Sequence, residues 1–457
     1  MQKRDQVKWV SLILTVMLFV LAFGLRFYAL AQRAPFDWDQ NRDYSQVEQI
    51  AHGKYIALGP VAKGVGGFYL GSLYYYLLTP AYLFLRGDLI SLPLTSIILD
   101  ALVGGLLYLL LNKYLGKRTS LAAALLWSTT WLLIEASRIS WNVSLVPLWS
   151  LLTIYSLTAV IERQSIKHFY LLALLAGLTL HIHVTTFVVI PLLLVFFWRR
   201  LHFSPTTWIK AICIGLIPVL PLAIYDLNHS FYNLHLLRDF LTYRSRVDTT
   251  YLSMVSVSLT KLGKVVSGIF IANFRDSLAL GIATLTLAVF ACFKREFVIK
   301  ISGLMVILAT FLIILFRDYT FPEYYFGFAY LPLILVIIHV FFVRLKSIGY
   351  LVVLAFIVLN LRAYTAVPTG FSLSNKRAIV TSLKDLAGPI DMSYSFDPGR
   401  DGGLRQLISI EGIALDPQSK YRVLLTDKLN TPLYIDGELA HDLTQIGSLK
   451  SALYIVQ

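Results

Sequence analysis

Residues 9–43 read WVSLILTVMLFVLAFGLRFYALAQRAPFDWDQNRD, an apolar run that stops at Arg26 and gives way to an acidic stretch. The run from Trp9 to Leu25 follows Lys3, Arg4 and Lys8. It approaches the roughly 20 residues needed to cross a hydrocarbon core of about 30 Å. Ala29-Leu30-Ala31 has the small-x-small form of a signal-peptidase site, but further apolar runs follow, so a retained first helix is expected. With the first span near 9–29, others are predicted near 92–111, 119–137, 145–161, 168–182, 184–198, 207–225, 277–293, 297–316, 326–343 and 348–366.

Composition agrees with this reading. Hydrophobic residues make up 57% of the chain and charged residues 14%, whereas soluble domains carry about a quarter charged residues. A soluble chain is excluded. The formal net charge of +14 sits in short clusters between apolar runs and not along one soluble face, which points to membrane topology and away from nucleic acid. Cys213 and Cys292 fall inside or beside predicted spans, so they define no disulfide framework.

Segment 68–86 is apolar but rich in tyrosine and broken by Gly71 and Pro80. If it does not span, Lys3/Arg4/Lys8, Lys113/Lys117/Arg118, Arg163/Lys167, Arg199/Arg200, Lys294/Arg295 and Arg344/Lys346 all collect on one side, which is then cytoplasmic. The segment is therefore expected to lie in the interface or to dip in and return, with Tyr74, Tyr75, Tyr76 and Tyr82 suited to the headgroup level. Eleven spans then place the C-terminus outside. The expected organisation is an all-α transmembrane bundle over 1–366, with a first external loop at 30–91 and an external loop at 226–276. A small extracytoplasmic α/β domain follows over 367–457, where Asp397-Pro398-Gly399, Asp401-Gly402-Gly403 and Asp436-Gly437 signal turns.

Asp37, Asp39 and Asp43 stand within seven residues of each other just after the first span. Carboxylates at that spacing can bind a divalent cation such as Mg or Mn, or let one act as a general base. The plainer alternative is a helix cap before VEQIAHG. Lys63 lies in a glycine-rich turn, GPVAKGVGGFY, that can hold a phosphate or be a flexible loop. Arg138, at the outer end of the third span with Glu135, Trp141 and Asn142, can pair with a lipid phosphate or serve as an interfacial anchor. His181 and His183 mark another external turn, as metal ligands, a proton relay or simple hydrogen-bonding groups. Asp226, Asn228, His229, His235 and Arg238, then Arg317, Asp318, Glu323, Tyr324 and Tyr325, occupy two further external connectors. Polar groups from five connectors on one face are expected to meet in one cavity.

Arg26-Phe-Tyr, Phe-Asp-Trp-Asp-Gln at 36–40 and Gly-Phe-Tyr-Leu-Gly-Ser-Leu-Tyr-Tyr-Tyr-Leu-Leu-Thr-Pro at 67–80 resemble the GT-C membrane glycosyltransferases. Their nearest likeness is glycosyltransferase family 39, the protein O-mannosyltransferase and aminoarabinose-transferase-like branch. Ser137-Arg138, Trp141-Asn142, Pro147 and Leu180-His181-Ile-His183 extend the resemblance, which covers roughly residues 10–370. It implies an integral protein of the plasma (inner) membrane that acts as a hexosyl- or pentosyltransferase. The implied donor is a polyprenyl-phosphate sugar, and the acceptor a protein, glycan or lipid. It also implies an acidic base in the first external loop, often with a divalent cation. The family's Asp-Glu pair falls on Asp39-Gln40, making Asp39 the expected base, with Gln40 a departure that Asp37 or Asp43 can offset. Arg138, Lys63 and Arg42 are then the expected donor-phosphate cations. A transporter or lipid flippase is the competing class, but the spans carry few charges at mid-membrane depth and no paired broken helices are evident.

Overall fold

A computed structural model describes residues 2–62, 67–242, 250–316, 321–364, 371–386, 388–397, 399–428, 434–435, 438–439, 441–446 and 448–455. The chain opens with α1 (Gln2–Phe27), the one-turn α2 (Leu30–Arg33) and α3 (Trp38–Ala51). The antiparallel pair β1 (Leu58–Val61) and β2 (Tyr69–Gly71) precedes α4 (Leu73–Phe84). The bundle continues through α5 (Ser91–Leu115), α6 (Lys117–Thr129), α7 (Trp131–Arg138), α8 (Val146–Arg163), α9 (Ile166–Leu178) and α10 (Val189–Phe196). Then come α11 (Pro205–Leu216), α12 (Leu220–Asn228), α13 (Tyr232–Thr242) and α14 (Tyr251–Ile271). The last bundle helices are α15 (Leu278–Ala291), α16 (Phe297–Phe316), α17 (Gly327–Leu345) and α18 (Ile348–Tyr364). Hydroxyl caps start several of them, with Ser204, Thr250 and Ser277 each accepting the backbone N–H three residues on.

Among the described residues, seven helices are long and apolar enough to cross a membrane, or eight if the bent pair α6–α7 counts as one. Four shorter apolar helices join them. Each of the eleven expected runs is helical. The expected loop at 226–276 is corrected, because it contains α14, 21 residues long and itself apolar enough to cross. Counting spans therefore no longer decides on which side the C-terminus lies. The tyrosines of α4 are also corrected: Tyr74 and Tyr75 are buried, with Tyr74 Oη bonded to Ser96 Oγ and Ser140 Oγ, each at 2.8 Å. A phenol that finds hydroxyl partners inside protein has no need of the headgroup layer.

Small residues let helices touch where apolar side chains alone cannot drive them together in lipid. On α5, a Cβ at Gly105 would come within 2.9 Å of Thr15 O on α1. Where α14 meets α15, a Cβ at Gly281 would overlap Leu259 O at 1.8 Å. The span α6–α7 bends by 54° at Thr130, whose backbone is extended. The break frees the Trp131 N–H, which Asn360 Oδ1 accepts at 2.9 Å, while Asn360 Nδ2 donates to Ile269 O, Phe270 O and Phe356 O. One buried amide thus satisfies a broken helix in an apolar setting, as membrane interiors require.

The C-terminal domain is α/β, as expected. It comprises α19 (Leu373–Ser382), β3 (Ile390–Ser395), α20 (Leu404–Ile410), β4 (Tyr421–Thr426), β5 (Tyr434–Ile435), β6 (Glu438–Leu439), β7 (His441–Ile446) and β8 (Leu449–Ile455). Its main sheet has the order β3-β4-β8-β7, parallel between β3 and β4 and antiparallel elsewhere. The boundary expected at 366/367 lies outside the described residues. The domain sits on the segment that follows α1: Pro35 bridges Ser372 and Leu373 N donates to Ala34 O at 3.0 Å. The first loop and the C-terminal domain therefore share one side.

Gly281→Ala is expected to destabilise the bundle by about 1–3 kcal/mol, the usual cost of overpacking a close contact. Thermal unfolding of the detergent-solubilised protein measures it. A midpoint equal to the parent's would mean that α14 and α15 are not held this close.

Candidate functional site

Asp37 caps α3. Its side chain accepts the backbone N–H of Gln40, and Gln40 Oε1 accepts the Asp37 N–H at 3.0 Å, a reciprocal capping box. Gln40 Nε2 also donates to Ser140 O at 2.7 Å. A glutamate could make the first bond but, ionised, has no hydrogen for the second. The departure from the Asp-Glu pattern is thus explained locally, by a tie from α3 to the 138–144 connector.

One turn on, Arg42 lies between two carboxylates. Its Nη1 is 2.8 Å from Asp39 Oδ1, and its Nε and Nη2 reach Asp43 Oδ1 at 2.8 and 2.6 Å. Asp39 is 42% exposed and Asp43 fully buried. Asp43 Oδ2 is buried with no hydrogen-bond partner among the described residues. Burial, opposed by Arg42, pushes the Asp43 carboxyl up to about 7. Burial lowers the pKa of Arg42, but Asp43, Tyr75 and Asp39 outweigh it and hold the guanidinium above its ordinary value.

Asp37 turns the other way. Lys376, fully buried on α19, donates to Phe36 O at 2.5 Å, Asp37 Oδ1 at 3.1 Å and Gly402 O at 2.9 Å. The expected cation site on Asp37, Asp39 and Asp43 is therefore not assembled, because an ammonium and a guanidinium stand where a metal would need to be. Among the described residues no group of three or more His, Cys, Asp or Glu side chains is placed to hold a metal ion.

Arg138 is fully buried. Its Nε donates to Arg26 O, its Nη2 to Leu25 O and Tyr28 O, each at 3.1 Å, and its Nη1 to Glu135 Oε1 at 2.5 Å. Leu25 O and Arg26 O are among the last carbonyls of α1, which a helix end leaves without partners, and Tyr28 O lies just past it. The guanidinium is consumed as a cap, and the expectation that it holds a donor phosphate is corrected on that ground. Lys63 lies outside the described residues.

The other connectors partly converge. Asn142 Nδ2 donates to Ile182 O at 2.5 Å. His181 Nε2 lies 2.7 Å from Pro218 O, and its Nδ1 accepts the Leu73 N–H at 3.3 Å, a fit that Gly71 permits, since a Cβ there would lie 2.0 Å from the ring. Buried His183 bonds Thr185 Oγ1 at 2.8 Å and is pushed down to about 4 by burial, so it stays neutral near pH 7. Its ring meets Tyr324 and Tyr325 edge-on, and Trp141 meets Tyr324 with centroids 4.5 Å apart. Tyr324 lies within electrostatic reach of Asp39. Glu323 pairs with Lys264 at 2.8 Å. From the 226–238 connector, Asp226 orients Asn233, which bonds both backbone groups of Tyr69 on β2; His229 stacks on Tyr225, and Arg238 pairs with Asp239.

Residues 60–225 match the family model described as dolichyl-phosphate-mannose-protein mannosyltransferase. Among solved structures, the oligosaccharyltransferase of Archaeoglobus fulgidus in its apo form superposes with a TM-score of 0.54 at 13% identity, covering 90% of this chain and 65% of that one. The chain has the GT-C fold of membrane glycosyltransferases. The same archaeal enzyme tethered to an acceptor peptide containing the NVT sequon gives 0.50 at 13% identity, over 91% of this chain and 69% of that one. ArnT from Cupriavidus metallidurans bound to undecaprenyl phosphate gives 0.49 at 11% identity, over 98% of each. No curated protein sequence matches the chain.

Within the GT-C bundle, the sequence reading missed Lys261 and Lys264. Lys261 donates to Phe321 O, and Lys264 pairs with Glu323, beside Tyr324. The signal was present as two lysines three apart, one turn of a helix, in a stretch taken for a loop.

Two variants test these assignments. Arg138→Ala is expected to destabilise the GT-C bundle by about 3 kcal/mol or more, since it strips the donor from three carbonyls at about 1–3 kcal/mol for each that is left buried and unmet, while the folded fraction keeps the parent's donor affinity. An unchanged melting point with weakened donor binding would return Arg138 to the site. For Asp43, a folded pKa of about 7 against 3.8 for the unfolded carboxyl means that its contribution to stability is full below pH 3.8 and is lost as pH rises through about 7. Thermal melts should therefore show the parent losing stability relative to Asp43→Asn between pH 4 and pH 8, an outcome that a fully ionised Asp43 would not give.

Proposed function

We propose that the protein transfers a sugar from a polyprenyl-phosphate donor to an acceptor on the extracytoplasmic face of the plasma membrane, with Asp39 as general base. The observation that carries this reading is the contrast between two carboxylates on Arg42: Asp43 is buried, while Asp39 is half-exposed in the first loop after α1. The GT-C fold and the match of residues 60–225 to a family named for a dolichyl-phosphate sugar support the donor class. The first loop and the C-terminal domain then both face the extracytoplasmic side, with the N-terminus in the cytoplasm.

In this mechanism the Asp39 carboxylate takes the proton of the acceptor hydroxyl. The acceptor oxygen bonds the anomeric carbon as the bond from that carbon to the phosphate oxygen breaks. The lipid phosphate leaves with the electron pair, its growing charge met by cations. Arg42 and the α14 lysines, Lys261 and Lys264, are the groups proposed to meet it. Asp43 acts as a positioning residue that fixes Arg42. An apolar cavity of about 270 Å³, lined by Tyr55, Leu73, Tyr76, Leu178, Pro218 and Pro221 among others, adjoins the largely exposed span Pro205–Asn228. It supports entry of a prenyl chain from the bilayer.

Asp39→Asn preserves size and most hydrogen bonding but cannot take up the proton. Turnover of radiolabelled polyprenyl-phosphate sugars should fall roughly 10²-fold or more, the scale of a lost general base. Asp37→Asn should instead loosen the ion pair with Lys376 and lower stability. Parent-rate transfer by folded Asp39→Asn would overturn the mechanism.

A further inference from the structure

A second cavity, of about 390 Å³, lies between α3 and the C-terminal domain, lined by Trp38, Asn41, Arg42, Gly399, Asp401, Gly402, Arg405 and Gln406. Its size falls in the range of about 300–1,000 Å³ typical of small-molecule sites. Two halves of the chain, some 360 residues apart, build it. Gly403 N donates to Asn41 Oδ1 at 3.1 Å. The 399–403 turn presses on α3 so closely that a Cβ at Gly402 would lie 2.6 Å from Asp37 O.

We propose that this cleft is a saccharide-binding subsite for the acceptor, completed by the C-terminal domain. This rests on the transferase reading above and adds to it the chemical class of the acceptor. Trp38 offers an aromatic face, 66% exposed, of the kind that bears an apolar ring surface on one side and leaves polar groups wet. Asn41, Asp401, Arg405 and Gln406 bring planar side chains with two or more donor or acceptor atoms each, a set that matches neighbouring hydroxyls. Gln406 Oε1 is buried with no partner among the described residues. Charge favours a neutral ligand in the wall formed by the C-terminal domain, where Arg405 and Asp401 stand side by side. Trp38, Asn41 and Arg42 share one face of α3, and Arg42 links that face to Asp39. Asp39 does not line the cleft; Arg42, which lines it and bonds Asp39, is the link between the two.

Saturation-transfer NMR of the full chain in lipid nanodiscs, with methyl mannopyranoside, methyl glucopyranoside and methyl galactopyranoside as probes, tests the subsite. At least one probe should bind the parent and be lost in Trp38→Ala. Trp38→Phe should restore it. Gln406→Leu should weaken it roughly fivefold to tenfold, the effect of one lost hydrogen bond. Trp38 is exposed, so its replacement leaves folding intact, and gel filtration checks this. Binding unchanged in both Trp38→Ala and Gln406→Leu would overturn the proposal. Donor turnover by a parent that binds no probe would overturn the subsite alone. Probe binding that depends on Trp38, in a protein that never uses a polyprenyl-phosphate sugar, would uphold the cleft and overturn the transferase reading.

Discussion

The last turn of α1 buries Arg26 and turns its open carbonyls toward α7, where they need protein donors. Arg138 supplies their donors, and Arg26, buried on the same turn, is neutralised by Asp100 of α5 at 2.5 Å while donating to Trp127 O and Ser128 O of α6. Leaving such groups unpaired in an apolar interior costs several kcal/mol each, so the end of α1 has one arrangement relative to α5, α6 and α7. Everything that follows within a few residues inherits that placement. Arg33 continues it by joining Glu135 at 3.0 Å and Tyr364 O at 2.8 Å. The start of α3, and with it Asp39, is therefore set by a frame of buried charge.

The same logic explains why the polar groups within the bundle are mostly structural. Asn360 mends the break at Thr130, neutral His183 is wedged against two tyrosine rings, and His181 spends both ring nitrogens on backbone. Against that background Asp39, bonded to Arg42 yet half-exposed, and the open wall of the cleft at Trp38 stand apart, since both still face solvent.

The spans were legible because an apolar run bounded by charge has few other outcomes in water or lipid. α14 was not, because Lys261 and Lys264 interrupt its apolar character and only their partners at Phe321 and Glu323 make them tolerable there. Asp39 could be singled out by position and resemblance, but the sequence could not separate it from Asp37 and Asp43. What separates them is Lys376, 339 residues away from Asp37. Arg138 illustrates the converse. A buried arginine and a phosphate-binding one read alike in sequence, and the difference lies in which carbonyls come within reach.

The docking of the C-terminal domain has a consequence for how the protein is made. Phe36 is wholly buried, and its ring lies against Gly403, while its carbonyl is bonded by Lys376. Synthesis runs from the N-terminus, so the segment from Ala34 to Asp43 is delivered to the membrane surface long before the residues that cover it exist. Until ribosomes have passed residue 403, a nascent chain carries its bundle helices but leaves Phe36 bare and Asp37 without its lysine. Closure of the segment from Ala34 to Asp43 therefore waits on the synthesis of residues 376–403.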